Sequence, residues 1–227
     1  MEINIKMGRD AVNDLLRSRG MLIKKTKRFH ITTDSKHFFY KSPNLLTDLK
    51  INHSEQVFVS DITYIKTDGG HAYLALVTDA YSRKIMGWSL QDNMKVSMVK
   101  EALEMAYKNC IFNHKNIIHH SDRGIQYCCP DYSQYAENKG FILSTTQQYD
   151  PYENAIAERI NGILKYEFGL KNTIKSLEIA QKMVAEAVQL YNNQRMHWSL
   201  DLKKPQEVHI QYNKQENKNY KREKKVV

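Results

Sequence analysis

From Val57 to Leu90 the chain is written as three β-type runs set almost end to end, and this arrangement narrows its fold more than any other feature. VFVSDITYI is rich in β-branched and aromatic residues, TDGG supplies a turn, and AYLALVTDAY forms a second run. After a short turn at Tyr81 and Ser82, RKIMGWSL forms a third. Connections this short join antiparallel neighbours, so a three-stranded meander is predicted. The period then changes: Val96, Val99, Ala102, Leu103 and Ala106 share one helical face between Lys95 and Cys110. NIIHH reads as a short strand, PDYSQYAENKG as a short helix ended by Gly140, and FILSTT as another strand. Helices follow from about Asn154 to Phe168 and from Ser176 to Gln194. The predicted fold class is α/β, with a mixed five-stranded sheet flanked by helices.

What lies outside this core is basic. The formal charge is +9, yet residues 1–50 hold 11 Lys and Arg against 5 Asp and Glu, and residues 211–227 hold 6 against 2, which leaves the middle near neutral. Cations spread over two arms suit a polyanion held by salt-sensitive contacts, although solvated, solubilising tails would carry the same charge. GRDAVNDLLRSRG predicts a short helix ended by Gly20, and the Pro43-containing stretch after it reads as a linker. We therefore expect a helical segment over 1–25, a basic linker over 26–52, a core over 53–210 and a basic, disordered tail over 211–227. No run approaches the roughly 18–20 apolar residues of a membrane span, and MEINIKMGRD lacks the apolar stretch of a secretory signal. Three cysteines, two of them adjacent, suit no disulfide framework. A reducing cytoplasm, with no membrane partner, is the expected setting.

Three acids fall where chemistry could use them. Asp61 lies inside the first strand, Asp122 ends the fourth at HHSDRG, and Glu158 lies on the helix ENAIAERINGILK. A carboxylate in mid-strand among Val, Ile and Tyr needs a partner to offset its desolvation, and a cation supplies one. Carboxylates that converge with open positions suit Mg²⁺ or Mn²⁺, and a pair of such ions promotes in-line displacement at phosphorus. Asn154, four residues before Glu158, and Lys165, seven after it, share nearly the same helical face.

The strings SDITYI, VTDAYSRKIMGW, HHSDRGIQY, DPYENAIAERINGILKYE and RMHWSLDLKKPQEV, in that order, resemble the catalytic part of bacterial insertion-sequence transposases of the two-reading-frame kind, whose core is like that of retroviral integrases. The resemblance is close over about 57–209. It implies an RNase H-like fold, with the segment before the core a partial helix-turn-helix. It also implies a DDE site of Asp61, Asp122 and Glu158 holding Mg²⁺ or Mn²⁺, since the family places 35 residues between its second Asp and its Glu, as 123–157 do here. His120 and Arg123 match the family's HSDRG run, with Asn154 and Lys165 on its helix, and these four are the implied DNA contacts. The implied reaction is cleavage at the element's ends followed by strand transfer, with no nucleotide cofactor. Implied partners are double-stranded DNA, further copies of the chain in a synaptic complex, and the first-frame protein. Members of the family carry sequence before the point where this chain starts, so a shortened chain that binds DNA and regulates the full transposase without catalysis is the competing expectation.

Other residues have plainer readings. Asp79 and Asp68 suit turns, and Glu153 suits a first-turn acid. His119, His120, Cys128 and Cys129 could ligate zinc, but adjacent pairs do not easily point at one ion, and buried thiols fit better. RMHWSLDLKKP suits either a DNA contact or a cap on the last helix.

Overall fold

The computed structural model describes residues 7–22, 37–111, 116–147 and 154–211. Glu153, residues 26–36 of the linker and residues 212–227 of the basic tail lie outside them. The chain forms two compact units, 1–31 and 32–227. In the first, α1 (Arg9–Ser18) stops where Gly20 takes a φ of +65° and the Met21 N–H returns to the Leu16 carbonyl at 2.9 Å.

The second unit carries β1 (Val57–Thr67), β2 (Gly70–Asp79), β3 (Ile85–Gln91), α2 (Val96–Lys108), β4 (Ile118–Ser121), α3 (Ile125–Cys128), α4 (Pro130–Asn138), β5 (Ile142–Thr145), α5 (Ala155–Glu167) and α6 (Leu177–Asn193). The sheet order is β3-β2-β1-β4-β5, antiparallel across the meander and parallel from β1 through β4 to β5. This is the predicted mixed five-stranded sheet. It differs from expectation at its edges: β3 begins at Ile85, α3 is an additional helical turn, and residues 205–211 form a further helix.

Side-chain alternation along β1 feeds two cores. Phe58 joins Val77, Met98, Leu103, Tyr132 and Phe141 beneath α2 and α4. On the other side Leu74, Leu76 and Leu90 meet Ile160 and Leu164 of α5, and Val184 and Tyr191 of α6. Burying each such side chain contributes about 1.5–3 kcal/mol. α2 crosses β3 so closely that a Cβ on Gly87 would lie 2.1 Å from the Ala102 carbonyl oxygen, so only glycine fits there.

A buried polar cluster ties the last helix to the sheet. His209 lies between Asp79 Oδ2 (3.2 Å from Nδ1) and Glu55 Oε1 (3.1 Å from Nε2), and Ser82 Oγ is 3.0 Å from Nδ1. Asp79 does shape the turn, accepting from the Ser82 N–H at 3.1 Å, but it is fully buried and also serves this cluster.

Candidate active site

β1 and β4 run parallel, and their last paired residues are Ser60 and Ser121. The next residue of each strand is an aspartate, so Asp61 and Asp122 emerge side by side, on strands spaced about 4.8 Å apart. β1 continues past this point, but β4 stops. Asp122 Oδ1 accepts from the Gly124 N–H at 2.9 Å, which turns the chain away and holds the carboxylate in place.

Asp61 is gripped on both oxygens. Oδ1 accepts from the Ile62 N–H at 2.9 Å and Oδ2 from Asn161 Nδ2 at 2.7 Å. Although its residue keeps some solvent-exposed surface, burial of the carboxyl, then the negative charge of Asp122, push Asp61 up from 3.8 to about 7, against the pull of those two donors; Glu158 adds a smaller upward push. Two neighbouring carboxylates therefore resist ionising together unless a cation joins them.

α5 lies along this edge. Asn154, Glu158, Asn161 and Lys165 recur at spacings of four, three and four, which places them in one stripe. Asn154 Nδ2 donates to the Ser60 carbonyl at 3.0 Å, fastening the start of α5 to β1 immediately before Asp61. Lys165 Nζ sits 4.2 Å from the centre of the Tyr64 ring. Burial pushes Lys165 down while Asp61 pulls it up. Glu158 remains exposed, and burial of its carboxyl, then Asp122, raise it.

The donors suit a hard divalent cation. Among the described residues no three His, Cys, Asp or Glu side chains stand close enough together to ligate one ion. Mg²⁺ seldom requires that, because one or two carboxylates with substrate phosphate and water commonly complete its shell. Asp61 and Asp122 are adjacent carboxylates, and Glu158 is electrostatically coupled to both. Asn154 Oδ1 and Asn161 Oδ1 are buried and have no partner among the described residues.

The remaining expected site residues divide. Arg123 is partly exposed and its Nε donates to the Thr146 carbonyl at 2.6 Å. His120 and Asn154 are not at the surface. His120 is fully buried with Nδ1 2.8 Å from Ser144 Oγ, and Asn154 is nearly so. Their side chains brace the strands that carry the aspartates, because β4 at position 120 is an interior rung of the sheet. His119 points the other way, into the α4 side, where its Nε2 lies 2.8 Å from Ser60 Oγ. Alternation thus separates the two histidines, and Cys128 and Cys129 are buried thiols. Burial first, then Asp122, raises the Cys128 thiol to about 11. The residue that sequence reading passed over is Asn161, although the stripe that singled out Asn154 and Lys165 runs through it.

The integrase core domain family matches residues 51–151, and a second integrase core domain family matches 139–205. The chain is 33% identical over 198 residues to the 31 kDa protein of insertion element IS600 from Shigella sonnei, covering 86% of this chain and 72% of that protein. It is 33% identical over 187 residues to the transposase InsF of insertion sequence IS3A from Escherichia coli K12, covering 80% of this chain and 64% of that one. With the IS629 transposase of Shigella sonnei it shares 32% identity over 158 residues, 53% of that protein's length. The fold is that of the HTLV-2 integrase catalytic core domain solved with magnesium, with a TM-score of 0.55 at 16% identity over 70% of this chain and 99% of that one. One chain of a simian T-cell lymphotropic virus intasome gives a TM-score of 0.60 at 16% identity, covering 78% of this chain and 60% of that chain.

The fold is that of an integrase catalytic core. The chain belongs to the integrase-core family of bacterial insertion-sequence transposases.

Proposed function

We propose that this chain is the catalytic core of a DDE transposase, which cuts DNA at the ends of an insertion sequence and joins the freed 3′-hydroxyl to another phosphodiester. Asp61, Asp122 and Glu158 would hold Mg²⁺ or Mn²⁺. The observation that carries this reading is the emergence of Asp61 and Asp122 side by side from the last rung of β1 and β4, with Glu158 on α5 within electrostatic range of both. The magnesium bound by the HTLV-2 core supports the choice of cation. When bound, the metal neutralises the acids, activates the attacking oxygen and stabilises the leaving one.

The protein's own groups position the reactants. Asn161 and the Ile62 N–H fix Asp61, and the Gly124 N–H fixes Asp122. Lys165 and Arg123, at the rim, meet phosphate oxygens. In the first step water attacks phosphorus and the P–O3′ bond breaks, which leaves a 3′-hydroxyl and a 5′-phosphate. In the second, that hydroxyl attacks a target phosphodiester, loses its proton and expels another 3′-oxygen. The partners are DNA and further copies of the chain, as in the dimeric and trimeric HTLV-2 core and the viral intasome. No helix among the described residues is long and apolar enough to cross a membrane, and the setting we propose is the cytoplasm, on DNA.

The test is to incubate the full chain with labelled element ends and Mg²⁺ or Mn²⁺, using an RNA–DNA hybrid as competitor substrate. We expect cleavage and joining of DNA, abolished by chelation and by Asp122→Asn. Cutting of hybrid RNA without joining would make it another nuclease of this fold. Binding without cutting would favour the non-catalytic regulator.

A further inference from the structure

The stretch RMHWSLDLKKP takes no part in the acid site, yet it is built as a stiff turn. Arg195 donates from Nε and Nη2 to Glu167 at 2.6 and 2.8 Å, tying the turn to the end of α5. His197 is buried edge-on to the Tyr191 ring, with centres 5.1 Å apart. Its N–H donates to the Lys203 carbonyl at 3.0 Å, and the Leu202 N–H donates to the His197 carbonyl at 2.9 Å. Asp201 and Leu202 both hold left-handed backbone, with φ of 52° and 59°. Branched and bulky residues accept that conformation only where the surroundings impose it. This framework displays Trp198, which is 87% exposed, between Met196 and Leu202, which are 60% and 53% exposed.

Charge indicates what such a surface receives. Burial first, then the positive fields of Arg195, Arg83 and Arg159, push His197 down to about 4, with Glu167 opposing. Lys203 is exposed on the turn itself, and Arg159 is the residue after Glu158 on α5. The centres of protein–protein interfaces are poor in lysine. Arg195 is paired to Glu167 and Asp201 is exposed on the turn, which leaves Lys203 and Arg159 as the exposed cations to accompany the open indole, a combination of stacking and phosphate contacts that suits unpaired nucleic acid strands.

We propose that the 195–204 turn is a DNA-contact surface additional to the acid site, where Trp198 stacks on an unpaired base of a single-stranded or frayed segment while Lys203 and Arg159 meet its phosphates. The inference rests on the chain acting on DNA, but not on the chemistry of the three acids.

The chain has two tryptophans, so Trp88→Phe leaves Trp198 as the only indole. In the full chain carrying Trp88→Phe and Asp122→Asn, without metal, a single-stranded oligonucleotide should quench Trp198 emission. Adding Trp198→Ala should weaken binding of that strand about tenfold, whereas Trp198→Phe should stay within about threefold. Lys203→Gln should lower the salt dependence by about one counterion. Trp198 is solvent-exposed, so unchanged thermal melting should accompany each change at that position. Unquenched emission together with unchanged affinity of Trp198→Ala would overturn the proposal. So would a concentration-dependent emission shift without DNA that Trp198→Ala abolishes along with self-association, since that assigns the indole to a second copy. Binding is read without cleavage, so failure of the strand-transfer reading leaves this result standing.

Discussion

Asn161, one helical turn beyond Glu158, donates to Asp61 Oδ2 at 2.7 Å, so the helix that carries the third acid also holds the first. Asn161→Ala should keep the fold but lower Mg²⁺-dependent cleavage about 10–100-fold, the usual cost of losing a group that orients a metal ligand. A Mg²⁺ titration of the cleavage rate checks this. Wild-type rates at every Mg²⁺ concentration would remove Asn161 from the site.

Burial, then the charge of Asp122, push the Asp61 carboxyl up from 3.8 to about 7 on folding. For an acid raised on folding, the stabilising contribution is complete below about 3.8 and is lost as pH rises through about 7. Without metal, Asp61→Asn should therefore raise Tm at pH 8 by about 2–8 °C and change it little at pH 4. Added Mg²⁺ should raise Tm of the wild type at pH 8 and leave the variant unmoved. Thermal melts with and without chelator measure both effects.

Much of the fold was legible because its signals are local. The meander, the α2 stripe and the α5 and α6 helices each declare their period within one segment. α3 did not, since four residues, IQYC, are too few to show one. Asp61 stands out in the sequence because a carboxylate inside VFVSDITYI must be offset by a partner. The histidines do not: His119 and His120 differ only in which side of β4 they face, and that depends on register with β1. The anchoring of residues 205–211 was hidden too, because His209 meets Glu55 and Asp79 across more than a hundred residues of chain.

Gly87 is the narrowest point of the α2 packing. Gly87→Ala drives a methyl into the Ala102 carbonyl and the Ala106 amide nitrogen, 2.1 and 2.6 Å away, which are backbone atoms of a packed helix. We expect a loss of about 1–3 kcal/mol or more, read as a lower midpoint in urea.

His119 gives the fold an acid-side weakness. Burial first, then His120, push it down to about 3 from 6.5. For a base lowered on folding, stability is complete above 6.5 and falls as pH drops from there toward 3, by about 2 kcal/mol at pH 5. His209 acts in the opposite sense: burial would lower it, but its bonds to Asp79 and Glu55 raise it, so its contribution is lost as pH rises. His119→Phe should reduce the drop in Tm between pH 7 and pH 5. An unchanged drop would place the acid sensitivity elsewhere.

Asp61, Asp122 and Glu158 are proposed to act together on DNA. The most direct measurement is joining of a labelled element end to target DNA by Asp61→Asn, Asp122→Asn and Glu158→Gln, with melting and DNA binding recorded on the same preparations. All three variants should bind DNA and melt as folded proteins while joining falls to background. Joining at the wild-type rate by any one of them would contradict the proposal.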